Sequence, residues 1–234
     1  MAHKSFAIDS IGTVRVYKNR RAKSIRLRIQ PDRQIKVTIP YWLPYVAGTR
    51  FVEAKKSWIK QQLPQQVRFE HDAVVGKQHR LVYRYNNNLA DAKVRLRGTE
   101  LVVELPFGYE HTNTSLHEAI SKTAEKALRA EAKQYLPQRL AELATSHNFD
   151  FNQVRIKKMK SRWGSCSSNK DISLNIYLMQ LDDELIDYVL LHELVHTRIQ
   201  AHGKAFWEEL ALYVPGLQVI RQRMRTEEPR IIPR

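Results

Sequence analysis

Leu181-Asp182-Asp183-Glu184-Leu185-Ile186-Asp187-Tyr188-Val189-Leu190-Leu191-His192-Glu193-Leu194-Val195-His196 is the stretch on which the fold turns. Asp182 supplies a capping carboxylate, and Asp183 and Glu184 put negative charge in the first turn, where the helix dipole favours it. Leu185, Ile186, Val189, Leu190 and Val195 continue a strongly apolar helix that has to be buried, histidines included. At about 100° per residue, His192 and His196 fall about 40° apart on one helical face, one turn along, as a shared tetrahedral ion requires. Glu193 lies beside them, placed to take a proton from metal-bound water. Core histidines without an ion would bury two imidazoles and a carboxylate in adjacent turns, which is costly, so the pattern points to a metal.

His202 follows within reach, but six more residues of helix would rotate it about 240° from His196 and carry it about 9 Å along the axis, away from a common ion. The helix is therefore expected to turn before His202. Gly203 relaxes the backbone there, and Lys204-Ala205-Phe206-Trp207-Glu208-Glu209-Leu210 reads as the start of another helix. The competing third ligand is a carboxylate of that helix, Glu208 or Glu209; the alternative for His202 is a surface histidine at a helix end. Three neutral imidazoles would leave zinc dipositive with one position open, a catalytic arrangement. A closed structural site would normally draw on cysteines, and Cys166 is the chain's lone cysteine. Glu193 is then the general base that activates the metal-bound water and later delivers the proton to the leaving group.

The chain has 234 residues, 43% of them apolar and 27% charged, enough for one or two globular domains. There is no charged-then-apolar leader and no apolar run long enough for a membrane span, and one cysteine cannot form an internal disulfide. These features lead us to expect a cytoplasmic protein with no membrane partner. A formal charge of +15, read as spread over the chain rather than gathered in a tail, predicts attraction to polyanions, although a solvated surface explains the same bias.

The expected fold class is α+β. Ser24-Ile25-Arg26-Leu27-Arg28-Ile29 and Gln34-Ile35-Lys36-Val37-Thr38-Ile39 alternate aliphatics with polar and cationic residues, as half-exposed strands do, and Pro31-Asp32-Arg33-Gln34 suits a hairpin turn between them. One amphipathic helix is predicted from about Tyr45 to Gln62. Strands are predicted at Arg80–Tyr85, Lys93–Leu96 and Leu101–Leu105, and helices from Ser115 to about His147, with Pro137 ending one and opening a second. Val154–Met159 and Ile172–Leu178 read as a hairpin before the metal helix. These expectations divide the chain into a β-rich region with one helix, 1–110, and a helical segment plus metal domain, 111–234.

Lys160-Ser161-Arg162-Trp163-Gly164-Ser165-Cys166-Ser167, Ile172-Ser173-Leu174-Asn175, and Asp187-Tyr188-Val189-Leu190-Leu191 running into HELVH, together with His202 and Phe206-Trp207, resemble the YgjP-like zinc metallopeptidases, a family related in outline to the SprT-like peptidases. Weaker similarity at Trp58-Ile59 and Gly76-Lys77 extends the resemblance from about Val14 to Arg225. It implies a β-rich N-terminal region, a helical middle, and a compact zincin-like C-terminal domain with a small sheet beside the HExxH helix. It also implies that an edge strand binds extended peptide by backbone hydrogen bonds; Ile172–Asn175 is the candidate, with ordinary core sheet as its alternative. Metzincins share the histidine spacing but carry glycine where this chain has Ile199, and Met224 lies in a basic segment rather than a methionine turn.

Arg162 is a candidate for substrate or oxyanion binding, with a structural ion pair as its alternative. Asn175 is a candidate for orienting substrate, or else for finishing the hairpin. Phe206 and Trp207 are expected to anchor the last helix against the metal helix, and Cys166 to fill space or else to approach the metal. Three functions remain open. The first is a zinc peptidase with a polypeptide substrate. The second is a metal-dependent nucleoside triphosphate pyrophosphohydrolase whose arginines hold phosphate. The third is a nucleic-acid-associated adaptor carrying a peptidase domain, with Arg15, Lys18, Arg20, Arg21, Lys23, Arg26 and Arg28 as its cations.

Overall fold

The computed structural model describes residues 3–9, 11–29, 34–62, 69–109 and 113–231. It divides into two units, Met1–Gln66 and Val67–Arg234. In the first, alternation of aliphatic and polar residues produces β1 (His3–Ile8), β2 (Gly12–Asn19), β3 (Arg26–Ile29) and β4 (Ile35–Pro40), ordered β1-β2-β4-β3. The β3–β4 pair is antiparallel, as a hairpin requires; the turn residues 31–33 lie outside the described residues. Strand β1, which the alternation pattern did not reveal, pairs antiparallel with β2, and β2 runs parallel to β4. Val14, Val16, Ile35, Val37 and Ile39 point to one face and pack with Val52 and Ile59.

Those last two residues sit on α1 (Tyr45–Ala54) and α2 (Lys56–Gln62). The single helix expected here is interrupted at Lys55, whose backbone reaches φ −103°, ψ 12°. Gly48 lets α1 approach the sheet: a Cβ there would stand 2.7 Å from Val16 Cγ1.

The second unit begins with another sheet, β5 (Val74–Val75), β6 (His79–Tyr85), β7 (Lys93–Arg97) and β8 (Glu100–Leu105), in the order β5-β6-β8-β7. Against it lies α3 (Thr114–Ser146), whose Asn113 cap accepts from the Ser115 N–H at 2.9 Å. The predicted break at Pro137 does not occur. Buried Leu128, Ala132, Leu136 and Leu140 bracket the proline, and continuous packing of this stripe outweighs one missing donor. Leu101, Leu105, Ile120, Leu128 and Leu190 share one core, so the expected division after residue 110 falls inside this unit, between β8 and α3.

The third sheet, β9 (Gln153–Lys157), β10 (Gly164–Cys166) and β11 (Asp171–Asn175), has the order β10-β11-β9. The predicted hairpin between 154–159 and 172–178 is corrected: β9 and β11 are parallel, and the antiparallel partner of β11 is the three-residue β10. A 3-10 turn, Ile176–Gln180, replaces the end of the predicted second strand and leads into α4 (Asp183–Val195), α5 (Lys204–Ala211) and α6 (Leu217–Met224). No helix among the described residues is long and apolar enough to cross a membrane.

Candidate metal centre

Helix α4 stops at Val195, as the rotation argument for His202 requires, and the chain turns through 197–203 before α5 begins. The turn brings three imidazole nitrogens together: Nε2 of His192 lies 3.2 Å from that of His196, and His202 Nε2 lies 3.0 Å from each. Tetrahedral zinc with Zn–N bonds of about 2.0–2.1 Å needs ligand nitrogens roughly 3.3–3.4 Å apart, so the triangle fits such an ion closely. His196 Nδ1 sits 3.0 Å from the Ile199 carbonyl, an acceptor only, which places the ring proton on Nδ1 and the lone pair of Nε2 toward the other two rings. Burial, with His196, His202 and Arg221 close by, pushes His192 down to about 3 and keeps its ring neutral, as a ligand must be.

Phe206 is fully buried and edge-on to His192 at 4.9 Å, so α5 braces the rings, as expected of Phe206-Trp207. The carboxylates that competed with His202 are engaged elsewhere. Glu208 is 3.5 Å from Lys204, and Glu209 accepts from Arg198 and from the Tyr213 hydroxyl. Among the described residues, His192, His196 and His202 form the sole group of three side chains suited to a metal ion.

Glu193 is 5% exposed, and its Oε2 is buried without a hydrogen-bond partner. Burial drives its carboxyl up to about 8, while the charge of Arg162 works against the rise. A buried carboxylate oxygen without a partner is costly to the fold. Gly164 of β10 lies flat against it: a Cβ there would stand 2.5 Å from Glu193 Oε1.

His192 and Glu193 open onto a cleft of about 340 Å³, whose other walls include Trp163, Gly164, Tyr188, Trp207, Arg221, Met224 and Arg225. Arg221 stacks on Trp207, 3.7 Å from guanidinium to ring centre, whereas Arg223 turns away to Asp182 and Glu184. Sequence reasoning treated 221–225 only as a basic segment. Its signal was the i, i+4 spacing of Arg221 and Arg225, which puts both on one face of α6.

Arg162 is exposed and near enough to Glu193 to lower its pKa, so the structure brings it to the site. Asn175 is different. It is 0% exposed, and its amide donates to the Met159 and Arg162 carbonyls at 2.8 and 2.7 Å, so it holds the 159–162 segment rather than reaching substrate. Ile172–Asn175 is likewise not an edge, because β11 is the central strand; the edge beside Glu193 is β10. Cys166 is half-buried and lies outside the histidine group, with burial and Glu193 pushing its thiol up to about 11.

The YgjP-like family, described as a metallopeptidase domain, matches residues 23–227. An uncharacterised protein of Methanocaldococcus jannaschii is 41% identical over 64 residues, which are 26% of this chain and 58% of that relative, so the chain spans less than two thirds of its length. Two solved metallopeptidase zymogens are also similar. Jannalysin of Methanocaldococcus jannaschii shows 32% identity over 38% of this chain and 93% of its own, with a TM-score of 0.34. Abylysin of Pyrococcus abyssi shows 25% identity over 42% of this chain and 98% of its own, with a TM-score of 0.37. With a family match that takes in all three histidines, Glu193 and the 160–167 segment, this chain belongs to the YgjP-like metallopeptidase family.

Proposed function

We propose that this protein is a zinc-dependent peptidase in which His192, His196 and His202 hold the ion and Glu193 is the general base. The observation that carries the reading is the buried, unpartnered Oε2 of Glu193 in the same cleft wall as His192. A bound zinc ion would polarise the scissile carbonyl and bring water toward a neutral pKa. Glu193 would take the water proton and return it to the leaving amine. Arg162, whose charge favours the ionised carboxylate, is our candidate for binding substrate.

An extended peptide would pair with the free side of β10, where Gly164 leaves room against Glu193. Arg221 and Arg225 on the cleft wall also fit phosphate, which keeps the pyrophosphohydrolase reading in the same test. Against that reading, the described residues contain no cluster of three carboxylates to hold magnesium with a nucleotide.

The test is metal content together with hydrolysis of a denatured-protein panel and of nucleoside triphosphates, comparing wild type with Glu193→Gln. The variant is expected to keep its zinc and lose turnover. Turnover surviving the substitution would reject Glu193 as base, and cleavage of triphosphates alone would reject the peptidase.

A further inference from the structure

The positive charge of the chain is divided unevenly between its two units. Residues 1–66 hold 14 of the 39 lysines and arginines but 3 of the 24 acidic residues, so +11 of the +15 falls in 66 residues. Four of these cations lie on one face of the sheet. With Val14, Val16, Val37 and Ile39 turned toward the helices, Arg15, Lys36 and Arg28 come out on the opposite face, and the register sets them directly abreast: Arg15 opposite Lys36, Lys36 opposite Arg28. Arg26 follows Arg28 along β3 on that same face.

Like charges directly opposite on neighbouring strands repel and lower stability. Surface faces usually relieve this with interleaved acids. Here none of the four cations contacts a carboxylate among the described residues. Of the two described carboxylates in this unit, Asp9 follows β1 and Glu53 lies on α1, 3.6 Å from Lys56. In the midst of the cations is an aromatic platform: Tyr17 stacks on His3 with centroids 5.0 Å apart, and the Lys36 ammonium lies 4.5 Å from the Tyr17 ring centre.

From this arrangement we infer that the open face of the β1-β2-β4-β3 sheet binds single-stranded nucleic acid. The Arg15-Lys36-Arg28 row tracks the phosphates, and Tyr17 with His3 offers a ring on which an unpaired base stacks. Duplex bases are already stacked on each other and cannot use that ring. An anionic membrane would want bulky apolar side chains to insert, whereas Ser5, Ala7, Thr13, Asn19 and Thr38 are among the other outward residues of these strands. The inference stands independently of the peptidase reading.

Fluorescence anisotropy of a labelled oligothymidylate with the full-length chain across a salt series tests it. Wild type should bind with log K falling linearly in log salt, by about 0.7 per phosphate contact, and more tightly than it binds duplex of the same length. Arg15→Gln/Arg28→Gln/Lys36→Gln should weaken binding at least about tenfold and flatten the slope. Tyr17→Leu should weaken single-strand binding about fivefold or more with the slope unchanged. Arg50→Gln, on the helix side of the unit, should bind as wild type does. Circular dichroism melting confirms that each variant is folded. Salt-insensitive binding, equal affinity for duplex, an unaltered triple variant, or tighter binding to phosphatidylserine vesicles than to the oligonucleotide would overturn the inference.

Discussion

Gly164 packs against the carboxylate of Glu193 so closely that a Cβ at residue 164 would lie 2.5 Å from Oε1, 2.7 Å from Cγ and 2.8 Å from Cδ. The strand that would receive substrate therefore also fixes the position of the proposed base. Gly164→Ala should displace Glu193 by a sizeable fraction of an ångström and lower kcat by about 100-fold, while zinc stoichiometry stays at one. Steady-state kinetics with metal analysis checks this; near-normal kcat would mean that Glu193 has room to move.

Asn175 should matter through the chain segment it holds. Its fully buried amide bonds the Met159 and Arg162 carbonyls in a part-buried setting, so Asn175→Ala removes both bonds and should cost about 1–3 kcal/mol. Urea unfolding of wild type and variant measures the loss. Asn175→Asp, which cannot donate from both positions, should be at least as damaging.

Zinc should stabilise the folded chain, because the three nitrogens converge only once the segment after α4 has turned back. At metal concentrations about 100 times the dissociation constant the gain is about 2.7 kcal/mol. Chelation should lower the melting temperature and added zinc restore it. In His202→Ala the zinc-dependent rise in melting temperature should shrink or vanish; an undiminished rise would exclude His202 as a ligand.

Cys166 should be unreactive at neutral pH. Burial is the largest cause of its thiol being held up at about 11, so at pH 8 only about one molecule in a thousand carries the thiolate nucleophile. Alkylation by iodoacetamide, followed by mass spectrometry, should be slow at pH 8 and accelerate as pH rises toward 11. Rapid labelling at pH 8 would show that the thiol is activated rather than suppressed.

The features legible in the chain are those whose geometry is local. A helix fixes the angle between residues four apart, so His192, Glu193 and His196 could be placed from spacing alone, and the same arithmetic required the turn before His202 that the structure contains. Alternation in 24–39 revealed two strands for the same reason. Pro137 was misleading because the cost of a proline is local, whereas the stripe that keeps α3 continuous is paid by contacts with distant residues.

Tertiary structure alone decided the rest. The pairing of β9 with β11 is parallel, and β10 is three residues long, too short for any period to show. Only that pairing buries Asn175, frees β10 as the edge and sets Gly164 against Glu193, two residues 29 positions apart in sequence. Likewise, alternation could say that Arg15, Lys36 and Arg28 share the outer face of their strands, but not that they stand abreast. That depends on register, which is set by long-range packing of the buried face and leaves no mark on the spacing of the exposed one.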